Sequence, residues 1–126
     1  MAKMTPDEIL AKSTNRSMQD AQKVRSEMAY LVNTDPNFRV MRSGNTLFSY
    51  YNRKNGNVDI AMDTAATPRE LVKDISEFVK AMKVAKFKHG KFDISNPQIE
   101  RVLKMANVKY KLMTQPNGRM SGIVEF

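Results

Sequence analysis

The stretch from Thr67 to Met82 constrains the fold more than any other part of the sequence, because it joins a helix start signal to a wide apolar face. Thr67-Pro68-Arg69-Glu70 has the spacing of a capping box, in which the threonine hydroxyl accepts from the third helical amide and the glutamate reaches back to the cap. The apolar residues that follow recur at helical spacing: Leu71, Val72, Ile75, Phe78, Val79 and Met82. This pattern predicts a helix from Thr67 to Ala85 that packs its apolar face across a sheet.

Three antiparallel strands are predicted before this helix. They run from Phe38 to Arg42, from Leu47 to Tyr51 and from Val58 to Asp63, and turn residues separate them. Asn55-Gly56 is the strongest turn signal, because both residues tolerate the positive φ angles of a type I′ hairpin. Alternation in the third strand places three apolar residues on one face of the sheet: Val58, Ile60 and Met62. The opposite face carries the residues between and after them: Asp59, Ala61 and Asp63.

A strand, a helix and a hairpin are predicted after the main helix. The strand runs from about Phe87 to Ile94, and Ser95-Asn96-Pro97-Gln98 opens the helix. Val108 to Met113 and Met120 to Val124 form the hairpin, with turn residues between them.

The N-terminal part is predicted to be helical. A second capping box, Thr5-Pro6-Asp7-Glu8, begins either one bent helix or two short ones. The expected fold class is therefore α+β, with one domain over residues 1–126. Helices occupy 1–35, and a mostly antiparallel sheet with its helices occupies 38–126.

Composition narrows the chemistry. Cysteine is absent and histidine occurs once, as His89, so disulfides and thiolate metal sites are excluded and no metal site is predicted. No apolar run approaches the roughly 20 residues that a membrane-spanning helix needs, and no signal peptide is expected. We expect no membrane partner; the oligomeric state does not follow from the sequence.

Positive charge is concentrated in the C-terminal half. Between Lys80 and Arg119 there are ten lysines and arginines but two acidic residues, so this stretch carries the whole formal charge of +8. Such a distribution favours an acidic partner, either nucleic acid or an acidic protein surface; a solvated face without a partner is the alternative. The residues predicted to form the polyanion or partner surface are Lys80, Lys83, Lys86, Lys88, Lys91, Lys104, Lys109 and Lys111.

From Phe38 onward, the predicted order β-β-β-α-β-α-β-β resembles the GNAT acetyltransferase superfamily from its second strand to its end. The local match is best from Phe92 to Val124, where a strand leads through an asparagine to a short helix and an apolar strand. Asn107 stands where that family usually has glycine, and asparagine is the next-best residue for a left-handed helix cap. Together with the Arg69-Glu70-Leu71 helix, this block is also similar to small acetyltransferase-like proteins of tailed bacteriophages. The resemblance implies a cytoplasmic location in a bacterial or phage-infected cell.

The GNAT resemblance implies acetyl-CoA as a cofactor, its pyrophosphate held by the amides of a glycine-rich turn that begins the main helix. The residues that match this turn are Thr64, Ala65, Ala66, Thr67 and Arg69. No glycine occurs there, Pro68 removes an amide, and Glu70 places a negative charge beside the expected phosphate. Leu103 stands where the family often has a tyrosine as proton donor. We therefore expect no catalytic residue and no cofactor, with acetyl-CoA as the alternative.

Two further groups have both a functional and a structural interpretation. Asp59 and Asp63, on one strand face, could act as a carboxylate pair or general base, or they are solvated strand residues. His89 lies among lysines and could contact phosphate when protonated, or it is a surface histidine without a partner.

Three tyrosines also have two interpretations. Tyr50, Tyr51 and Tyr110 lie on predicted strands near basic residues, where they could form a stacking platform for exposed bases. The alternative is that they pack in or around the core, because no RNA-binding motif accompanies them.

Three functions remain open from the sequence. The first is a GNAT-like, phage-type protein without standard acetyl transfer, which acts by binding a protein complex or nucleic acid through its basic C-terminal half. The second is an acetyl-CoA-dependent N-acyltransferase. The third is a nucleic-acid-binding regulator on an unrelated α+β fold.

Overall fold

The computed structural model describes residues 3–94 and 98–126, and these residues form four helices and six strands. In chain order the elements are α1 (Pro6–Ser13), α2 (Met18–Thr34), β1 (Phe38–Ser43), β2 (Thr46–Lys54), β3 (Asn57–Thr64), α3 (Pro68–Val84), β4 (His89–Ile94), α4 (Gln98–Met105), β5 (Lys109–Thr114) and β6 (Met120–Glu125). The predicted α+β class and element order are confirmed.

The six strands form one sheet in the order β1-β2-β3-β4-β6-β5. Neighbouring strands are antiparallel except β3 and β4, which run parallel because α3 carries the chain back along the sheet between them. The predicted three-stranded meander is β1-β2-β3, and the predicted terminal hairpin is β5-β6. In the sheet β6 lies between β4 and β5. Only this one strand therefore separates β4 from β5.

One side of the sheet, here called the helix face, is covered by α3 and α4. Phe78 of α3 stacks on Phe48 of β2, with ring centroids 4.3 Å apart and ring planes 12° from parallel. The buried residues of this core are Phe48, Leu71, Ile75, Phe78, Met82, Val102, Leu103 and Val124. At about 1.5–3 kcal/mol for each large apolar side chain, this cluster is the main source of hydrophobic stabilisation.

The opposite side, here called the open face, is covered by α1 and α2 chiefly over β1 to β3. Leu47, which alternates with Phe48 on β2, packs there against a smaller cluster of Ile9, Leu10 and Ala21. Over β4, β6 and β5, the open face carries exposed lysines: Lys91, Lys109 and Lys111.

The helix ends follow the sequence signals. Both capping boxes are present, at Thr5 with Glu8 and at Thr67 with Glu70. The N-terminal part contains two separate helices rather than one bent helix, since α1 ends at Ser13 and α2 begins at Met18. None of the helices in the described ranges is long and apolar enough to span a membrane.

Two boundaries differ from the predictions or lie outside the described residues. The fourth strand begins at His89 rather than near Phe87, because the Phe87 amide still donates to the Met82 carbonyl of α3, at 3.0 Å. The predicted start of α4 at Ser95-Asn96-Pro97 lies outside the described residues. Asn107 adopts the left-handed conformation expected for it, with φ of 57°.

Candidate functional site

The parallel strands β3 and β4 separate toward their C-terminal ends. Their paired residues run from Asn57 with His89 to Ile60 with Phe92, and among the described residues no later pair joins the two strands. A cavity of about 570 Å³, here called the split cavity, opens at this separation. Its lining is mainly apolar and includes Ile60, Met62, Leu71, Phe92, Val102 and Val124. Polar contacts with a ligand would have to come from its rim.

The backbone amides between β3 and α3, at the rim of the split cavity, are bound by groups of the chain itself. The Ala65 amide donates to the Asn45 carbonyl at 3.0 Å. The Ala66 amide donates to the hydroxyl of Thr64, also at 3.0 Å. Two of the amides expected to face a ligand are therefore already hydrogen-bonded inside the protein.

In the first turn of α3, the backbone amides are likewise hydrogen-bonded to groups of the chain itself, and the turn is here called closed for that reason. The Thr67 amide donates to Glu70 Oε1 at 2.9 Å, and the Glu70 amide donates to Thr67 Oγ1 at 3.3 Å. Pro68 has no N–H group, so Arg69 supplies the one remaining amide of this turn. The hydrogen bonds from Thr67, the backbone one first, lower the pKa of Glu70. A carboxylate therefore occupies the place where a helix N-terminus would hold an external anion.

The end of α1 forms part of the wall of the split cavity at its mouth. Ser13 and Thr14 line the cavity, and the Thr64 amide donates to Ser13 Oγ at 3.1 Å. Beside them, Arg16 and Asp63 form an ion pair with an Nη1 to Oδ1 distance of 3.3 Å. At the end of β3, the Thr64 amide and the Asp63 carboxylate are therefore both bound by groups of the chain itself.

The residues present do not fit the pyrophosphate of acetyl-CoA in the manner implied by the GNAT resemblance. That mode needs close approach of free amides, whereas this turn has no glycine and its amides are bonded internally. Leu103, at the place of the expected tyrosine, is a buried core residue without a hydroxyl. The arrangement can hold an apolar group, but it offers no prepared anion site at the start of α3.

The two aspartates of β3 do not form a carboxylate pair. Asp59 Oδ2 lies 2.6 Å from Arg53 Nε, and Asp63 is paired with Arg16. Each carboxylate is therefore neutralised by its own arginine on the open face. Within the described residues, no group of three or more Asp, Glu or His side chains could hold a metal ion.

The sheet separates the three tyrosines. Tyr50 packs edge-on against Phe78 on the helix face at 6.0 Å, and Tyr110 packs against the same core. Tyr51 lies on the open face, where the Arg53 guanidinium covers its ring at 4.8 Å. They do not form a common stacking platform, because alternation places them on two faces of one sheet.

The predicted basic residues are divided between two parts of the molecule. Lys91, Lys109 and Lys111 share the open face of β4 and β5, and His89 lies exposed on the same face. Lys80 is on α3 and Lys104 on α4, both helices of the opposite face, and Lys104 is paired with Glu100 at 3.5 Å. The remaining three occupy the end of α3 and its connection to β4: Lys83, Lys86 and Lys88.

Asp74 is a buried acidic residue that sequence reasoning missed. It is 4% exposed, and its Oδ2 accepts from the Thr46 hydroxyl at 2.7 Å. The Ser43 hydroxyl lies 3.4 Å from its other oxygen and also makes a short contact with Glu77. Burial raises the pKa of Asp74 against the opposing effect of these hydroxyls. No cation is paired with Asp74 among the described residues.

A hydrogen-bond chain connects Asp74 to the turn before α3. Thr46 and Thr64 hydroxyls lie 2.8 Å apart, and Thr64 in turn accepts from the Ala66 amide. The sequence held a signal for this, because Asp74 falls at the i+3 position of the apolar series that begins at Leu71. The buried carboxylate thus helps to fix the same turn.

Comparison with known proteins rests on structure alone. No protein-family model matches the chain, and no curated protein matches it. An N-acetyltransferase from Staphylococcus aureus Mu50 is similar over 100% of this chain and 94% of its own, with a TM-score of 0.61 and 9% identity. The aminoglycoside acetyltransferase AAC(6′)-Ib, solved with coenzyme A, is similar over 97% of this chain and 91% of its own, with a TM-score of 0.59 and 16% identity.

A third similar structure is the microcin C7 self-immunity acetyltransferase MccE, solved with acetyl-CoA and AMP. It covers 88% of this chain and 72% of its own, with a TM-score of 0.61 and 9% identity. At these identities the similarity establishes the fold, which is that of the GNAT acetyltransferases. The alternative of an unrelated α+β fold is therefore wrong. The similarity to tailed-phage proteins stays a prediction.

Proposed function

Taking the GNAT fold of this chain as the premise, we propose that the protein does not perform standard acetyl transfer. It acts instead by binding a protein complex or nucleic acid through its basic C-terminal half, as a phage-type relative of the fold. The observation that carries this proposal is the closed turn at the start of α3, where Glu70 occupies the anion position and Thr67 supplies its amide.

The closed turn matters because of energy as well as geometry. A pyrophosphate would have to displace the Glu70 carboxylate, which is ionised at neutral pH and whose pKa is lowered further by its hydrogen bonds to Thr67. It would then lie close to that carboxylate, which is a like-charge contact, and Pro68 would offer no donor in return. Binding energy that other proteins of this fold gain from the turn is thus reduced here.

The second candidate function is an acetyl-CoA-dependent N-acyltransferase. The split cavity supports it, since about 570 Å³ of mainly apolar space opens between two strands of a GNAT fold. The similar structures solved with acetyl-CoA or coenzyme A support it as well. This candidate requires the cofactor to be held by contacts other than the amides of residues 65–70.

Calorimetric titration with acetyl-CoA separates the two candidates. We expect weak binding or none for the native chain, and tighter binding for Glu70→Ala, which removes the blocking carboxylate and frees the Thr67 amide. Glu27→Ala, at an exposed position of α2, is the control, since it removes the same charge and leaves the capping pair in place. Submicromolar binding by the native chain would overturn the proposal and favour the enzyme.

A further inference from the structure

A groove of about 770 Å³ lies on the open face, on the side of the sheet away from α3 and α4. Two rows of side chains cross its floor from β3 through β4 and β6 to β5. The row nearer the starts of β3 and β4 is Asn57, His89, Glu125 and Lys109. The next row is Asp59, Lys91, Ile123 and Lys111.

The second row places two cations on either side of an apolar residue. Lys91 and Lys111 flank Ile123, and at a strand spacing of about 4.8 Å their backbones are about 10 Å apart. Asp59, at the end of this row, is neutralised by Arg53. The lining also carries the exposed carboxylate of Glu125, but three lysines outnumber it, so the groove presents a net positive field toward solvent: Lys91, Lys109 and Lys111.

Further lysines continue this charge at the end of the sheet where β4 begins. The Lys88 amide donates to the Gly56 carbonyl at 2.7 Å, and a Cβ added to Gly56 would lie 3.0 Å from Lys88 Cγ. Lys88 therefore lies against the β2-β3 turn. Lys83 and Lys86 complete the connection from α3, and no acidic residue occurs between positions 78 and 92.

Within 3–94 and 98–126, none of these cations is paired with a carboxylate. The ion pairs among the described residues use three arginines and Lys104: Arg16, Arg25 and Arg53 with Asp63, Asp7 and Asp59, and Lys104 with Glu100. The unpaired group, here called the basic surface, consists of Lys83, Lys86, Lys88, Lys91, Lys109 and Lys111. All six are exposed. Exposed like charges gathered in this way raise the local concentration of polyanions.

We propose that the basic surface binds the sugar-phosphate backbone of nucleic acid without reading base sequence. This inference rests on the proposed binding function of the basic half and names its partner. Lysine is a compact point charge suited to phosphate, whereas the planar fork of arginine favours bidentate recognition, and all six members of the basic surface are lysine. Base stacking is not provided, because Arg53 covers the ring of Tyr51 and the other strand tyrosines lie on the helix face.

An acidic protein is the less favoured partner for the same surface. Protein interfaces draw most of their binding energy from aromatic residues and arginine in well-packed pockets, and lysine is depleted in them. The basic surface has neither type among its six members. On the groove floor the half-buried Ile123 lies between Lys91 and Lys111.

Fluorescence anisotropy with labelled oligonucleotides of mixed sequence tests the inference. Single-stranded and duplex DNA and RNA are titrated with the full chain between low and physiological salt. If three to six phosphates are contacted, log K should fall with log salt with a slope between about −2 and −5, with little dependence on sequence. The single-stranded and duplex arms identify which form of the backbone the groove accepts.

Two triple variants map the surface and a third controls for net charge. Lys91, Lys109 and Lys111 are changed together to Gln, and so are Lys83, Lys86 and Lys88. The control changes Lys3, Lys23 and Lys73 to Gln, which removes the same charge from exposed positions elsewhere. We expect each surface triple to weaken binding about tenfold or more and to reduce the salt slope by about two units, with the control nearly unchanged.

The outcomes distinguish this inference from the proposed function. Absence of nucleic-acid binding at low salt, or equal weakening by the control triple, would overturn the inference. If poly-glutamate binds instead, and the surface triples abolish that binding, the partner class is wrong while the binding function of the basic half stands. Submicromolar acetyl-CoA binding would overturn the proposed function, whether or not the oligonucleotides bind.

Discussion

The carboxylate of Glu70 accepts a 2.9 Å hydrogen bond from the backbone amide of Thr67, and the Thr67 hydroxyl accepts from the Glu70 amide in return. This reciprocal pair adjoins Ala66 and Pro68, which line the split cavity, and it lies in the turn where the GNAT resemblance places a cofactor pyrophosphate. The contacts that stabilise the start of α3 are therefore the same contacts that close the turn.

The cap at Thr67 should contribute measurably to stability. Thr67→Ala removes the acceptor for the Glu70 amide, and we expect a loss of about 1 kcal/mol in the free energy of unfolding. Urea denaturation of the variant measures this loss. Thr114→Ala, at the exposed end of β5, is the control. Equal denaturation midpoints for native and Thr67→Ala would contradict the capping geometry.

Asp74 should make stability depend on pH. Because burial raises the pKa of Asp74, the folded chain holds this proton more tightly than the unfolded chain. The resulting stabilisation is complete below the unfolded-state pKa of about 3.9 and is lost as pH rises through the folded-state value. The negative charges of Glu77 and Glu70 also raise the pKa of Asp74.

Asp74→Asn tests this dependence because the amide stays neutral at every pH and can still accept from Thr46. We expect the variant to be more stable than the native chain at neutral pH, with the difference shrinking as the solution is acidified. Denaturation midpoints across that range, with the exposed Asp93→Asn as control, give the comparison. A variant less stable than the native chain at neutral pH would show that the ionised hydrogen-bonded form is favoured by folding.

Phe78 should be the most costly residue of α3 to truncate. Its ring stacks on Phe48 and meets Phe126 edge-on at 6.3 Å, at the centre of the helix-face core. Phe78→Ala should lower the free energy of unfolding by about 3–5 kcal/mol, whereas Val84→Ala, at an 83% exposed position of the same helix, should change little. An unchanged midpoint for Phe78→Ala would contradict the packing of α3 across the sheet.

Gly122 should resist substitution because of a close approach rather than its backbone angles. A Cβ at this position would lie 2.4 Å from Phe92 Cζ, so the ring of the neighbouring strand must move. We expect Gly122→Ala to cost about 1–3 kcal/mol. In the double variant with Phe92→Leu the cost of the alanine should shrink, which thermal or urea unfolding of the four-member cycle measures. Strict additivity of the two changes would show that this contact is not the cause.

Much of the fold could be predicted because local patterns and tertiary packing agree. The capping box at Thr67 and the apolar period of α3 were sufficient to place the main helix, and Asn55-Gly56 to place the β2-β3 turn. The alternation in β3 correctly separated Ile60 from Asp59. These features depend on residues close in sequence, which is where pattern arguments are strongest.

The candidate sites were less predictable because they depend on strand order and on partners distant in sequence. Lys91 and Lys111 belong to one row only because β6 lies between their strands, with Ile123 as the common partner. The buried carboxylate of Asp74 is hydrogen-bonded by hydroxyls from two strands, Ser43 at the end of β1 and Thr46 at the start of β2. No local pattern contains either relationship.

Amide-resolved NMR of the native chain tests whether the turn at the start of α3 is closed by the chain itself. Acetyl-CoA and a short oligonucleotide are added in separate titrations. We expect acetyl-CoA to leave the amide shifts of Ala66, Thr67 and Glu70 unchanged and the oligonucleotide to shift those of Lys91 and Lys111. Saturable shifts of the residue 65–70 amides at near-stoichiometric acetyl-CoA would contradict it.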